Sequence, residues 1–422
     1  MKYSNANKGT GFRLKYTKLF CLKSIFIFLI FSCTANTEAS EPNKDSNEKV
    51  KDEIVMIPEV GASKMYAYLD SLKGKNVAVV GNQTSLVDQV HLVDTLISSG
   101  IKITKVFAPE HGFRGEANAG EYVANGIDQQ TGVPVVSLYG KNKKPSAEQL
   151  RGVDIVVFDI QDVGVRFYTY ISTLHYVMEA CAEQNIPVMI LDRPNPNGHY
   201  VDGPVLDPEF KSFVGMHPVP IVHGMTIGEY GTMINGEGWL KGGIKCDLTV
   251  VKCDHYYHNS YWPVSVRPSP NLRSDKSITL YPSLCLLEAT DVTVGRGTPY
   301  PFEHYGHPDF PDSLEYSFTP EPDFGAKNPK HNGSLCYGVK PEIGTYDRLN
   351  EIDLSYLIDA YQLLNGDLFR GKKTRMFFLL CGTDEILKQL KAGMTEEEIK
   401  KTWQEDLNTY KEMRKKYLLY YE

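Results

Sequence analysis

The residues able to do chemistry in this 422-residue chain fall in short polar strings, each directly behind an apolar run. Gly81-Asn82-Gln83-Thr84-Ser85 follows Val80, and Ala108-Pro109-Glu110-His111-Gly112-Phe113-Arg114-Gly115 follows Phe107. Asp159-Ile160-Gln161-Asp162-Val163-Gly164-Val165-Arg166 follows Phe158. Asp192-Arg193-Pro194-Asn195-Pro196-Asn197-Gly198 follows Leu191, and His223-Gly224 follows Val222. The strings hold four carboxylates, Glu110, Asp159, Asp162 and Asp192, among the donors His111, Arg114, Arg166, Arg193, Asn195 and His223. Carboxyl groups beside arginines suit glycosidic-bond hydrolysis, where one acid protonates the leaving oxygen and another group stabilises the cationic sugar. Each residue also has a structural reading. Asp192 can pair with Arg193 or cap the proline-rich turn, and Asp159 and Asp162 can cap the helix starting near Phe167 or pair with Arg166. Glu229 reads as the N3 member of a capping box opened by Thr226. Other chemistries lack their motifs: there is no GxSxG elbow, no Walker loop and no GxGxxG behind a strand. His304-x-x-His307 and Cys253-x-His255-x-x-His258 lie in Tyr-rich stretches without regular helical spacing or a clear third acid, so neither metal nor cofactor is expected.

These strings need a scaffold that gathers them. Residues 76–80, 103–107, 133–137, 155–158 and 187–191 are β-branched apolar runs and read as strands, with 218–222 as a sixth candidate. Helical stretches are expected over 87–99, 146–151, 167–184 and 226–235. Nearly continuous apolar strands alternating with helices imply a mostly parallel sheet covered on both faces, whose strand carboxyl ends form one ligand-binding rim. From about residue 274 the chain is rich in Pro, Gly, Tyr and His; helices return over 353–364, 383–391 and 395–417. The expected fold is therefore α/β, with a domain over 56–273 followed by a smaller α+β domain over 274–422.

The first 33 residues carry Lys2, Lys8, Arg13, Lys15, Lys18 and Lys23 and no acid, then an apolar run, then Ser32-Cys33. The run is too short to span a bilayer, and its pattern resembles a bacterial lipoprotein signal with Cys33 as the acylated residue. Residues 34–55 are polar and charged and read as a tether. Without the signal, 39 basic residues face 52 acidic ones, a balance that argues against nucleic acid as a partner. The expected place is the cell envelope, on a lipid anchor facing the periplasm. The six cysteines after residue 33 show no CxxC and read as free buried thiols, with a Cys246–Cys253 disulfide as the alternative.

The strings around Glu110, Asp159 and Asp192 resemble those of one bacterial family, the exo-β-N-acetylmuramidases. So do His223-Gly-Met-Thr-Ile-Gly-Glu229, Ser269-Pro-Asn271, Gly295-Arg-Gly-Thr298, Pro301-Phe-Glu303 and Trp403-Gln-Glu-Asp-Leu407. The resemblance runs in order from about residue 60 to the end; one departure is Gly81-Asn82-Gln83-Thr84, where relatives more often show Thr-Asn-x-Thr-Gly. It implies a Rossmann-like domain, a smaller C-terminal domain and an active-site cleft between them. It also implies release of N-acetylmuramic acid from the non-reducing end of peptidoglycan fragments, with Glu110 as the catalytic acid. Because the substrate's acetamide can act as nucleophile, Asp162 or Asp159 is expected to orient it. Substrate contacts are expected from His111, Arg114, Gln161, Arg166, Tyr168, Arg193, Asn195, His223, Asn271 and Arg296. One of Arg114, Arg166, Arg193 and Arg296, with Arg193 and Arg166 favoured, is expected to read the lactyl carboxylate. A lipid-anchored muropeptide carrier and a cell-wall esterase or amidase are the other functional classes these features fit.

Overall fold

A computed structural model describes residues 57–115, 125–344 and 347–422; the signal and the tether lie outside the described residues. The described residues belong to one compact unit. The first helix, α1 (Met65–Leu72), leads into β1 (Asn76–Gly81), then a short hairpin of β2 (Leu86–Val87) and β3 (Val90–His91) and helix α2 (Leu92–Ser98). There follow β4 (Lys102–Ala108), β5 (Gly126–Ile127), β6 (Pro134–Ser137), α3 (Ala147–Leu150) and β7 (Ile155–Asp159). Helix α4 (Tyr170–Glu183), β8 (Val188–Leu191), α5 (Ile227–Gly236) and β9 (Leu248–Val251) complete the first half. The seven-stranded sheet has the order β5-β6-β4-β1-β7-β8-β9. All its pairs are parallel except β5 with β6.

The parallel strands are apolar along their length because both faces are covered. In β1, Val77 and Val79 pack with α1 and α2 in one buried cluster. Ala78 and Val80 belong to the larger cluster with α4 and α5. The chain winds outward from β1 through β4 to β6, then crosses back to place β7 on the other side of β1. That reversal makes the carboxyl end of β1 a topological switch point, where neighbouring loops diverge and leave room for a ligand. The loops that follow β1, β4 and β7 all start there.

The second half holds α6 (Asp275–Leu284), an antiparallel sheet of order β10 (Tyr305–His307), β12 (Cys336–Val339) and β11 (Tyr316–Phe318), and helices α7 (Ser355–Leu363) to α11 (Gln404–Arg414). Between these last two lie α8 (Arg375–Cys381), α9 (Glu385–Lys391) and α10 (Glu396–Lys401). The boundary expected at 273/274 falls at the start of α6, capped by Ser274. The larger apolar cluster crosses it, running from Phe158 and Leu174 to Phe377 and Trp403. Among the described residues no helix is long and apolar enough to cross a membrane.

Three expectations are corrected. Residues 218–222 form no strand; Val222 makes only isolated bridges to Val165 and Asp202, since Pro218 and Pro220 have no N–H for a ladder. The stretch 87–99 begins as the β2–β3 hairpin, and the helix starts only at Leu92, where the His91 ring accepts from Val93 N. The stretch 395–417 breaks between α10 and α11, at the buried Trp403, whose indole N–H reaches Asp202 at 3.1 Å. All six described cysteines are free and buried.

Candidate active site

Glu110 stands two residues past β4, beside the end of β1. The turn that carries it closes with Gly112 N donating to Pro109 O at 3.1 Å. It places His111 at φ +73°, a left-handed conformation that non-glycine residues seldom adopt and that only firm surroundings maintain. Those surroundings are the rest of the string. Phe113 is buried against the His91 ring, edge to face with centroids 4.6 Å apart. Arg114 lies over Phe113 and forms paired hydrogen bonds to Asp94 on α2 and to Asp128. Its guanidinium holds the Asp128 carboxyl down at about 2. Gly115, at φ +76°, passes so close to Gln83 that a Cβ there would sit 3.0 Å from that side chain. The string thus presents one half-buried carboxyl and spends its other residues holding it. Around that carboxyl stand two phenols. Burial, then the charge and hydrogen bond of Glu110, push the Tyr139 hydroxyl up to about 12. Burial and the same charge raise Tyr170, whose hydroxyl accepts from Asn82 Nδ2 at 2.9 Å.

The β7 and β8 loops are locked to each other. Asp159, fully buried, takes a bidentate pair from Arg193, with Nε at 2.6 Å and Nη2 at 2.9 Å, and Arg193 Nη2 also donates to Leu86 O. Gln161 Nε2 donates to Asp162 O and Pro194 O, and its Oε1 accepts from Trp262. Asp162 is sealed: Oδ2 accepts from Gly164 N at 2.7 Å and Oδ1 has no hydrogen-bond partner. Burial lifts its carboxyl to about 7 against the pull of the Gly164 and Val163 N–H groups. His223 Nε2 lies 3.7 Å from Asp162 Oδ2, and burial, with Arg414 and Arg166 nearby, lowers the imidazole to about 3. Asn195 spans to Met225 O, and Gly164, at φ +77°, must be glycine because a Cβ would lie 2.3 Å from the Asn195 amide. Asp192 caps α5: it accepts from Gly228 N and Thr226 Oγ1, and also from Tyr420 OH. Burial lifts its carboxyl to about 6. Glu229 makes the expected capping box with Thr226 and also receives Leu419 N and His258 Nε2.

The remaining expected site residues are scattered. Arg166 is completely buried and donates to Pro204 O, Val219 O, Leu380 O and Cys381 O; burial lowers it to about 10. Arg296 pairs with Glu288. Tyr168 donates to Pro268 O at 2.7 Å, and Asn271 donates to Gly325 O at 2.8 Å. Each of the four arginines expected to read a substrate carboxylate is thus committed to protein acceptors. Tyr139 and Asn82 are not among the expected site residues, although Asn82 directly follows β1 and Tyr139 stands two residues past β6, as Glu110 stands past β4.

A cavity of about 540 Å³ opens at the strand ends, with Thr84, Leu86, Gln161, Arg193 and Trp262 in its wall. No residue beyond Val266 lines it, so it belongs to the first half and is not the cleft expected between two domains. The metal-donor sets weighed from the sequence do not assemble: Tyr316 OH bonds His304, and His258 pairs with Glu229. Asp291, His307 and His331 do cluster within 4.8 Å. There His307 pairs with the Asp291 carboxylate, His331 donates to its carbonyl, and Lys372 holds its other oxygen. A cation would have to displace that ammonium.

Comparison with known proteins places this arrangement. Residues 77–276 match the family described as exo-beta-N-acetylmuramidase NamZ, N-terminal, and residues 279–420 match its C-terminal counterpart. The peptidoglycan beta-N-acetylmuramidase NamZ of Bacillus subtilis (strain 168) is 39% identical, over 94% of this chain and 100% of that protein. A crystal structure of a DUF1343 family protein from Bacteroides fragilis NCTC 9343 shares the fold with a TM-score of 0.79 and 45% identity, covering 87% of this chain and 100% of that one. A second from the same organism gives 0.74 and 27%, over 86% and 99%. Matched in order through both halves, the chain belongs to the exo-beta-N-acetylmuramidase NamZ family and is a glycoside hydrolase.

Proposed function

We propose that this enzyme releases N-acetylmuramic acid from the non-reducing end of peptidoglycan fragments, with Glu110 protonating the leaving oxygen. One observation carries the mechanism: of the four strand-end carboxylates, Glu110 alone is not sealed. Asp159 is bound by Arg193, Asp162 is enclosed and Asp192 caps a helix. Among the described residues of these polar strings, no second open carboxylate is therefore offered as nucleophile at the anomeric carbon. The acetamido oxygen of the substrate takes that role and closes an oxazoline, the known exception to the two-carboxylate scheme. Asp159 and Asp162, expected to orient the acetamide, act instead through the loops they hold, as positioning residues.

The purified protein, incubated with a chromogenic N-acetylmuramide, is expected to release the chromophore, and Glu110→Gln to stop it. A thiazoline analogue of the sugar should inhibit competitively. Tight binding without turnover would point to a carrier, and a trapped glycosyl-enzyme would replace the substrate-assisted step. The same reading places the enzyme on a lipid anchor at Cys33 in the cell envelope, supported by the basic, apolar and Ser-Cys pattern of the first 33 residues. Cys33→Ser should move the protein from the membrane fraction to the soluble one.

A further inference from the structure

We propose that Arg267, stacked on Phe324, is the residue that reads the lactyl carboxylate of the muramic acid substrate. This rests on the reading above and adds the determinant that separates muramic acid from N-acetylglucosamine, which lacks that carboxylate.

Arg267 differs from the arginines already described. Its side chain is exposed, and among the described residues it makes no ion pair. Its guanidinium lies 5.2 Å from the centroid of the Phe324 ring. A guanidinium stacked on an aromatic face keeps its N–H edge available, the edge that binds a carboxylate in two parallel hydrogen bonds. The following residue is Pro268, which restricts Arg267 to extended backbone and removes part of its freedom before any ligand arrives.

The platform is built rather than incidental. Phe324 is 41% exposed, which leaves its ring face open to the guanidinium. The turn that displays it is nevertheless pinned on both sides. Arg273 Nη2 donates to Phe324 O and to Asp323 Oδ2, each at 2.6 Å, and Asn271 Nδ2 donates to Gly325 O at 2.8 Å. The two groups come from opposite sides of residue 274, so the pair forms where the two halves of the chain meet.

The pair also stands beside the catalytic rim. Arg267 O accepts from Gln83 Nε2 at 3.2 Å, on the loop that follows β1. Pro268 O accepts from Tyr168 OH at 2.7 Å and from Tyr170 OH at 3.4 Å, and Tyr170 is one of the two phenols that feel the charge of Glu110. One peptide segment therefore links the cation to the residues around the general acid. The other two arginines without a carboxylate partner on an exposed or part-exposed site, Arg348 and Arg375, donate to Ser260 O and Glu209 O, away from these contacts.

The test compares Arg267→Ala, Arg267→Lys and Phe324→Leu with wild type on chromogenic N-acetylmuramide and N-acetylglucosaminide. Inhibition by free N-acetylmuramic acid and by free N-acetylglucosamine is measured alongside. Loss of a charge-assisted pair is expected to weaken muramic acid binding in Arg267→Ala by roughly 10- to 100-fold, mostly in KM. The preference over the glucosamine compounds should fall by the same factor. Lysine should restore part of it, and Phe324→Leu should fall between. Preference unchanged in Arg267→Ala, or equal losses on both sugars, overturns the assignment and leaves the parent reading intact. A wild-type protein that neither cleaves the muramide nor is inhibited by muramic acid overturns both.

Discussion

At the residue scale the site turns on how differently its carboxyl groups are housed. Glu110 is half-buried between phenols, while Asp162 is enclosed with one oxygen unpartnered. Glu110→Gln should keep the melting temperature of the parent and lose roughly 10²-fold or more in turnover, the usual scale of acid catalysis. Near-parental turnover would remove it from the acid's role. Tyr139→Phe, which deletes the hydroxyl on that carboxyl, should shift the pH–rate profile while the fold stays intact. Asp162 shapes stability rather than the proton transfer. Its folded carboxyl titrates near 7, above its ordinary 3.8, so the native state holds a proton that the unfolded chain has released. Stability from this group is complete below about pH 4 and is lost as pH rises towards 7. His223 beside it, lowered by burial, stays neutral across that window. Asp162→Asn should therefore flatten the fall: urea midpoints of variant and parent should diverge in the variant's favour between pH 5 and pH 8. A constant difference across that range would contradict the buried, protonated state.

At the element scale the β7 loop is tied to the β8 loop through a position with a single tolerable identity. Gly164 combines a left-handed φ with an Asn195 amide where its Cβ would be. Gly164→Ala should cost about 1–3 kcal/mol in urea unfolding from backbone strain alone, more with the clash. The α5 terminus shows a second kind of coupling. Thr226 caps its own helix and also donates to Asp192, which in turn holds Tyr420 of the C-terminal tail. Thr226→Ala should cost more than the ~1 kcal/mol of an ordinary cap, because it also leaves a buried carboxyl short of a donor. A loss confined to ordinary cap size would show that the Asp192 link contributes nothing.

At the scale of the whole molecule, the two halves are joined by side chains that reach across the sequence. Arg166 on the β7 loop donates to the carbonyls of Leu380 and Cys381 at the end of α8, and Arg414 on α11 donates to Gly224 O. Trp403 and Ile352 both meet Asp202. Arg166→Met should leave four carbonyls short of a donor inside the core and destabilise the protein by about 3 kcal/mol or more. Unfolding should remain a single transition, since one apolar cluster runs through both halves. Two separated transitions would show that the halves fold independently.

The sequence by itself determined the parallel α/β sheet and the rim, because strands buried on both faces must be apolar along their length and polar strings can then lie only at their ends; the family was legible in the resemblance of those strings. Strand-end position marked Glu110 as one of four carboxylates, and the resemblance alone singled it out as the acid. The sequence misplaced residues 218–222 and the breaks near Leu92 and Trp403, where prolines, a hairpin and a buried indole override local periodicity. Which side chains remain open to a ligand was decided only by tertiary structure. Arg166 and Arg193 look alike in sequence to any substrate-binding arginine, yet one is consumed by backbone carbonyls and the other by Asp159. Arg267 carries no mark in the sequence; the aromatic ring beside it is presented by a turn that Asn271 and Arg273 pin some fifty positions further along the chain. Side-chain availability depends on who else arrives at the same place, and that is a property of three-dimensional packing, which no local pattern encodes.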